Sequence, residues 1–134
     1  MSNSSPLVPG GGLTSHEQAG GHTLAKHVAL TEAELANRLA NDPKPMITST
    51  FCDRSTAETT ISEAIQANEL LISAWLSKNP TQALRIRYNF SSPIGISLAR
   101  SATNTLPANR VSVVLKPDAN SPLGYYILTA YPEP

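Results

Sequence analysis

Leu84-Arg85-Ile86-Arg87-Tyr88-Asn89-Phe90 is where the chain changes period. Leu84, Ile86, Tyr88 and Phe90 alternate with Arg85, Arg87 and Asn89, so a strand here has one apolar and one basic face. Upstream the spacing is helical. Thr31-Glu32-Ala33-Glu34 has the form of a capping box and predicts a helix to about Ala40, with Leu35, Leu39 and Ala36 facing the core. Asn41-Asp42-Pro43 ends it. An extended piece spans Ile47 to Phe51, after which Asp53 or Ser55 caps a helix reaching Asn68. A further helical stretch carries Leu70, Leu71, Ala74, Trp75 and Leu76 until Asn79-Pro80. Downstream of residue 84 the pattern is extended: Ile94 to Leu98, Val111 to Leu115, a loop from Lys116 to Gly124, and a terminal strand. Helices first and strands afterwards predict an α+β fold with an antiparallel sheet.

The terminal strand, Tyr125-Tyr126-Ile127-Leu128-Thr129-Ala130-Tyr131-Pro132, places Tyr125, Ile127, Thr129 and Tyr131 on one face if its alternation is unbroken. Near the other end, Gly20-Gly21-His22-Thr23-Leu24-Ala25-Lys26-His27-Val28 offers two histidines behind a hinge or close backbone approach. Were that stretch helical, His22 and His27 would sit about 140° apart and would not face one ligand.

At 134 residues and 14.3 kDa the chain is sized for one domain. Cys52 is its sole cysteine, so no internal disulfide forms, and with neither C-x-x-C nor H-E-x-x-H the sequence carries no metal-site motif. There is no phosphate-binding or dinucleotide glycine pattern, and no internal repeat. The formal charge is zero but unevenly spread. Residues 1–69 hold four basic against eight acidic side chains, a net −4, and residues 70–134 hold six against two, a net +4. A basic groove in the second half would suit RNA. No apolar run is long enough to span a bilayer, and the start lacks a signal peptide's basic-then-apolar order. Export is therefore expected from upstream sequence or a dedicated secretion machine. Met1 to about Glu17, rich in Ser, Gly and Pro, reads as a flexible linker, with a boundary at residue 19 and the folded domain over 20–134.

Five stretches in this order resemble the bacterial ribonuclease A-like toxin domains, the C-terminal tips of contact-dependent inhibition proteins and other polymorphic secreted effectors. They are Gly20 to Val28, Leu35 to Leu39, Ser49 to Asp53, Ala57 to Leu76 and Val111 to Pro132. The chain departs from the pattern at Ala29, where glycine is common, and Pro93 to Pro107 follows no pattern that aligns. The resemblance implies a ribonuclease A-like fold without disulfides, with His27 as the catalytic histidine, Arg38 as the active-site arginine, and Thr129 and Tyr131 as the C-terminal pair. It also implies delivery from a secreted or cell-surface effector into a target bacterium's cytoplasm, RNA (tRNA foremost) as substrate, and neutralisation by a cognate immunity protein. No cofactor or metal is implied, and the domain is expected to be a monomer apart from the immunity complex. A chain that must unfold to cross a membrane and refold in a reducing cytoplasm is consistent with the lack of disulfides.

The chemistry follows from RNA itself. Its 2′-hydroxyl can attack the adjacent phosphorus, given a base, positive charge for the phosphorane oxygens, and an acid for the departing 5′-oxygen. His27 suits the acid-base work and Arg38 bidentate phosphate binding. Thr129 and Tyr131 can donate to phosphate or base. His22, Arg85 and Arg87 are candidate substrate contacts, and His22 is the nearest candidate by sequence for a second acid-base group. The expected product is a 2′,3′-cyclic phosphate. The alternatives are a non-catalytic binding or adaptor module, in which the two end clusters are core and cap elements, and a nucleotide-modifying transferase. The first is distinguished by whether His27, Arg38, Thr129 and Tyr131 converge, and the second by dependence on NAD or a metal.

Overall fold

The computed structural model describes residues 8–9 and 12–134. Helices α1 (Leu13–Ala19), α2 (Thr23–His27) and α3 (Glu32–Asn41) precede strand β1 (Ile47–Phe51). Helices α4 (Arg54–Ala67) and α5 (Glu69–Leu76) follow, then β2 (Leu84–Asn89), β3 (Gly95–Ala99), β4 (Leu106–Ala108), β5 (Arg110–Pro117) and β6 (Tyr125–Glu133). The α+β class is as expected. The antiparallel sheet resolves into two three-stranded sheets, ordered β1-β3-β4 and β2-β5-β6.

Local chemistry explains the helix starts. Thr31 Oγ1 accepts the Glu34 N–H while a Glu34 carboxylate oxygen accepts the Thr31 N–H, a reciprocal cap that begins α3 where the sequence placed it. Asp53 caps α4 by accepting the Thr56 N–H at 2.7 Å. Leu35 and Leu39 pack with Leu98 beneath α3, whereas Ala36, expected to face the core, is exposed. A larger core joins Ala57, Ile61 and Ala64 of α4 to Phe51, Ile86, Val111, Val113, Leu115 and Ile127.

The linker expected through residue 19 contains an ordered helix. Leu13 and His16 of α1 are buried. His16 is bound at both ring nitrogens: Nδ1 accepts the Ile127 N–H at 2.9 Å, and Nε2 donates to the Pro9 carbonyl at 2.7 Å. The buried Glu58 carboxylate accepts the Val8 and Leu13 N–H groups at 3.1 and 3.0 Å. Two polar side chains thus fasten a stretch whose composition suggested no core contribution. The rest of the linker reading, Met1 to Leu7 with Gly10 and Gly11, lies outside the described residues.

The Gly20-Gly21 pair is a close approach to β6. The Gly21 N–H donates to the His16 carbonyl and the His22 N–H to the Leu128 carbonyl, both at 2.9 Å. A Cβ on Gly21 would lie 2.3 Å from the Ile127 carbonyl oxygen, so only glycine fits. At Ala29 the family's usual glycine has a visible reason: φ is +57°, and its N–H donates to the Phe51 carbonyl. A left-handed alanine costs about 1 kcal/mol relative to glycine. Ala29→Gly should therefore stabilise the fold by up to that amount, read as a thermal midpoint about 3 °C higher.

Candidate active site

His27 closes α2 and is held between β1 and β6. It is buried, and its Nδ1 lies 3.3 Å from the Ser49 carbonyl of β1. A carbonyl only accepts, so Nδ1 carries the proton and Nε2 keeps its lone pair. Its ring meets that of Tyr131 at a centroid distance of 5.5 Å and a tilt of 46°. The Arg85 guanidinium lies 6.0 Å from the Tyr131 centroid.

Burial lowers the His27 pKa to about 4; the Ser49 hydrogen bond opposes this, while Arg38, Lys26 and His22 add repulsion. The imidazole is therefore neutral at pH 7. Because an unfolded histidine titrates near 6.5, the unfolded chain binds this proton more readily. The stability that neutral His27 allows is complete above pH 6.5 and is lost as pH falls towards 4, on the order of 3 kcal/mol in all. Urea midpoints for wild type and His27→Gln at pH 7 and pH 4 should show the wild type losing more.

The positions on β6 require one correction. A β-bulge between Val114 and Leu115 pairs Val114 with Thr129 and Leu115 with Ile127, leaving Leu128 as the extra residue. The alternation shifts there. Ile127, Ala130 and Pro132 face the core with Leu115, Val113 and Val111, so Thr129 and Tyr131 do not share the face of Tyr125 and Ile127. They remain neighbours on the opposite face of the β2-β5-β6 sheet. That face reads across the strands in three rows: Arg85, Val114 and Thr129; Arg87, Ser112 and Tyr131; Asn89, Arg110 and Glu133.

His27, Arg38 and Tyr131 line one cleft of about 530 Å³, with Met46, Ile47 and Ser49 on one wall and Arg110 and Glu133 at its end. Arg38 reaches it from α3, its Nη1 donating to the Lys26 carbonyl at 3.5 Å. Arg100 fastens the chain behind that wall: its guanidinium donates to the carbonyls of Leu39, Asp42 and Pro45, the last turn of α3 and the loop leading into β1. Thr129 is half-buried one row behind Tyr131 and does not line the cleft. Its Oγ1, like Oγ of the wholly buried Ser112, has no hydrogen-bond partner among the described residues.

The other sequence candidates separate. Arg85 and Arg87 stand exposed on the site face, and Arg87 pairs with Glu133. His22 caps α2 near enough to repel a charge on His27 but is not among the residues lining the cleft. Sequence reasoning passed over Ser49, Arg100, Arg110 and Glu133. The +4 balance of the second half counts Arg100 and Arg110 without singling them out, and Ser49 and Glu133 left no signal of a site role. A second cleft of about 540 Å³, between α4, α5 and Leu123, lies away from these groups.

Helices packed on two antiparallel sheets, with a cleft bringing histidine, arginine and tyrosine together, define a ribonuclease A-like domain. The model of the bacterial CdiA-CT RNAse A domain matches residues 21–132, and the chain belongs to that family: a ribonuclease toxin domain of contact-dependent inhibition. It is similar to a solved CdiA-CT/CdiI complex from Y. kristensenii 33638, with 40% identity and a TM-score of 0.77 over 81% of this chain and 95% of that one. No curated protein matches it.

Proposed function

We propose that this domain cleaves RNA without a metal ion, by attack of a 2′-hydroxyl on the adjacent phosphorus to leave a 2′,3′-cyclic phosphate. The observation that carries this reading is the orientation of His27. With Nδ1–H spent on Ser49, the free lone pair is on Nε2, and burial keeps the ring neutral, the form a general base needs. Arg38, on the same cleft, binds the phosphate and stabilises the phosphorane charge. The Tyr131 hydroxyl donates to the phosphate or the departing 5′-oxygen; the Thr129 hydroxyl, buried and unpartnered one row behind, donates only when the cleft opens towards it. Arg85 and Arg87 contact flanking RNA.

The substrate is tRNA or another structured RNA in a target bacterium's cytoplasm, reached from a secreted or cell-surface effector. A cognate immunity protein covers the cleft; that the similar solved structure is a CdiA-CT/CdiI complex supports such a partner. Apart from that complex the domain is a monomer, and its folded unit takes in α1, whose Leu13 and His16 are buried. The test is incubation of purified protein with total bacterial RNA in EDTA, followed by end-group analysis. Fragments ending in cyclic phosphate support the proposal; intact RNA in the presence of folded protein refutes metal-free cleavage.

A further inference from the structure

Arg110, which lines the cleft, shares a carboxylate with the exposed Arg87 beside it, and the cleavage chemistry above does not use the two guanidiniums together. Arg87 on β2 and Arg110 on β5 each place Nε 3.2 Å from the same oxygen, Oε1 of Glu133. The cluster holds two positive charges against one negative. Each arginine spends only its Nε, and the terminal amino groups of both make no hydrogen bond with a described residue. Those terminal groups form the planar edge that binds phosphate in two parallel hydrogen bonds. The carboxylate between the arginines fixes their orientation, lowering the entropy lost when they grip a ligand.

The position is as informative as the charge. Arg110 and Glu133 line the same cleft as His27, Arg38 and Tyr131. Glu133 follows Tyr131 by two residues on the same face of β6, about 6.8 Å along the strand, comparable with one nucleotide step. We propose that Arg87 and Arg110, oriented by Glu133, form a second phosphate subsite one nucleotide from the scissile phosphate. The ligand class is a phosphodiester or terminal phosphate of single-stranded RNA, and the inference rests on reading the cleft as the RNA site.

The test uses uncleavable 2′-O-methyl dinucleotides, plain or carrying one added 5′- or 3′-phosphate, in equilibrium binding to the full chain. Wild type should bind one of the phosphorylated forms about tenfold more tightly than the plain one, with a salt dependence steeper by about 0.7 in the log-log slope. In Arg110→Ala that ratio should fall to about 1, and Arg110→Lys, which keeps charge but not the fork, should recover only part of it. No gain from either added phosphate, or a gain that survives Arg87→Ala/Arg110→Ala, would overturn the subsite. Because these probes cannot be cut, that failure is separate from failure to cleave natural RNA, which would remove the catalytic reading.

Discussion

His27→Ala should lower the rate of RNA cleavage about 10³-fold and leave the domain folded. General-base catalysis by a well-placed imidazole is worth 10² to 10⁴. The middle of that range fits a ring whose tautomer is held by Ser49 and whose charge is suppressed by burial. The loss should appear in kcat rather than KM, since the role assigned to Nε2 is to take a proton in the transition state. The fold should tolerate the change because the variant keeps the contacts of β1 with β3 and of β5 with β6, and loses one long hydrogen bond and a tilted ring contact with Tyr131. Far-ultraviolet circular dichroism and the urea midpoint at pH 7 check that condition. A folded variant that cuts as fast as wild type would remove His27 from the mechanism.

The second large effect is expected at Arg38. Arg38→Ala should cost roughly 10²- to 10³-fold in kcat/KM, the size of effect seen when a donor aimed at developing transition-state charge is removed. Its only described hydrogen bond, to the Lys26 carbonyl, is 3.5 Å long, so the side chain is lightly tethered and available to a phosphate. Little stability should be lost with it, since the burial of Leu35 and Leu39 holds α3 in place. Arg38→Lys should restore only a small part of the activity, because a point charge lacks the guanidinium's paired donors. A lysine variant with full activity would reduce Arg38 to a source of general positive charge. Rates measured on a defined RNA oligonucleotide in EDTA distinguish these outcomes.

Arg38 and Arg100 show what could be read in the chain beforehand. Thr31 to Glu34 announced α3, which placed Arg38 on a helix, and the family resemblance singled it out. Without that resemblance Arg38 would pass for a surface arginine. Arg100 was equally visible as a letter but lay in the unaligned stretch Pro93 to Pro107, and its work is wholly tertiary. It binds carbonyls more than 50 residues away, and no local pattern encodes that. His16 and Glu58 escaped for the same reason, and with them α1, since a short helix fastened by polar side chains has no apolar periodicity to detect.

The terminal strand was half legible. Its alternation correctly made Thr129 and Tyr131 neighbours. The bulge at Leu128 then turned that pair away from the face of Ile127, and a bulge depends on the partner strand's register as much as on the residues themselves. That shift is functionally decisive: in unbroken alternation Tyr131 would point into the core with Ile127 instead of meeting His27. The sequence leaves the Gly-Gly pair as a hinge or a close approach; Gly21 makes the close approach, to the Ile127 carbonyl. Ala29 shows the converse, a departure whose meaning became physical only once its φ was known.

The 2′-hydroxyl as nucleophile can be tested without altering the protein. An RNA oligonucleotide cut by the wild type is mapped, then resynthesised with a single 2′-deoxy nucleotide immediately 5′ of the cleaved phosphate. The expected result is that cleavage at that bond stops while the oligonucleotide still binds. Continued cutting at the same bond would show that the attacking oxygen comes from elsewhere and would contradict the mechanism built on His27.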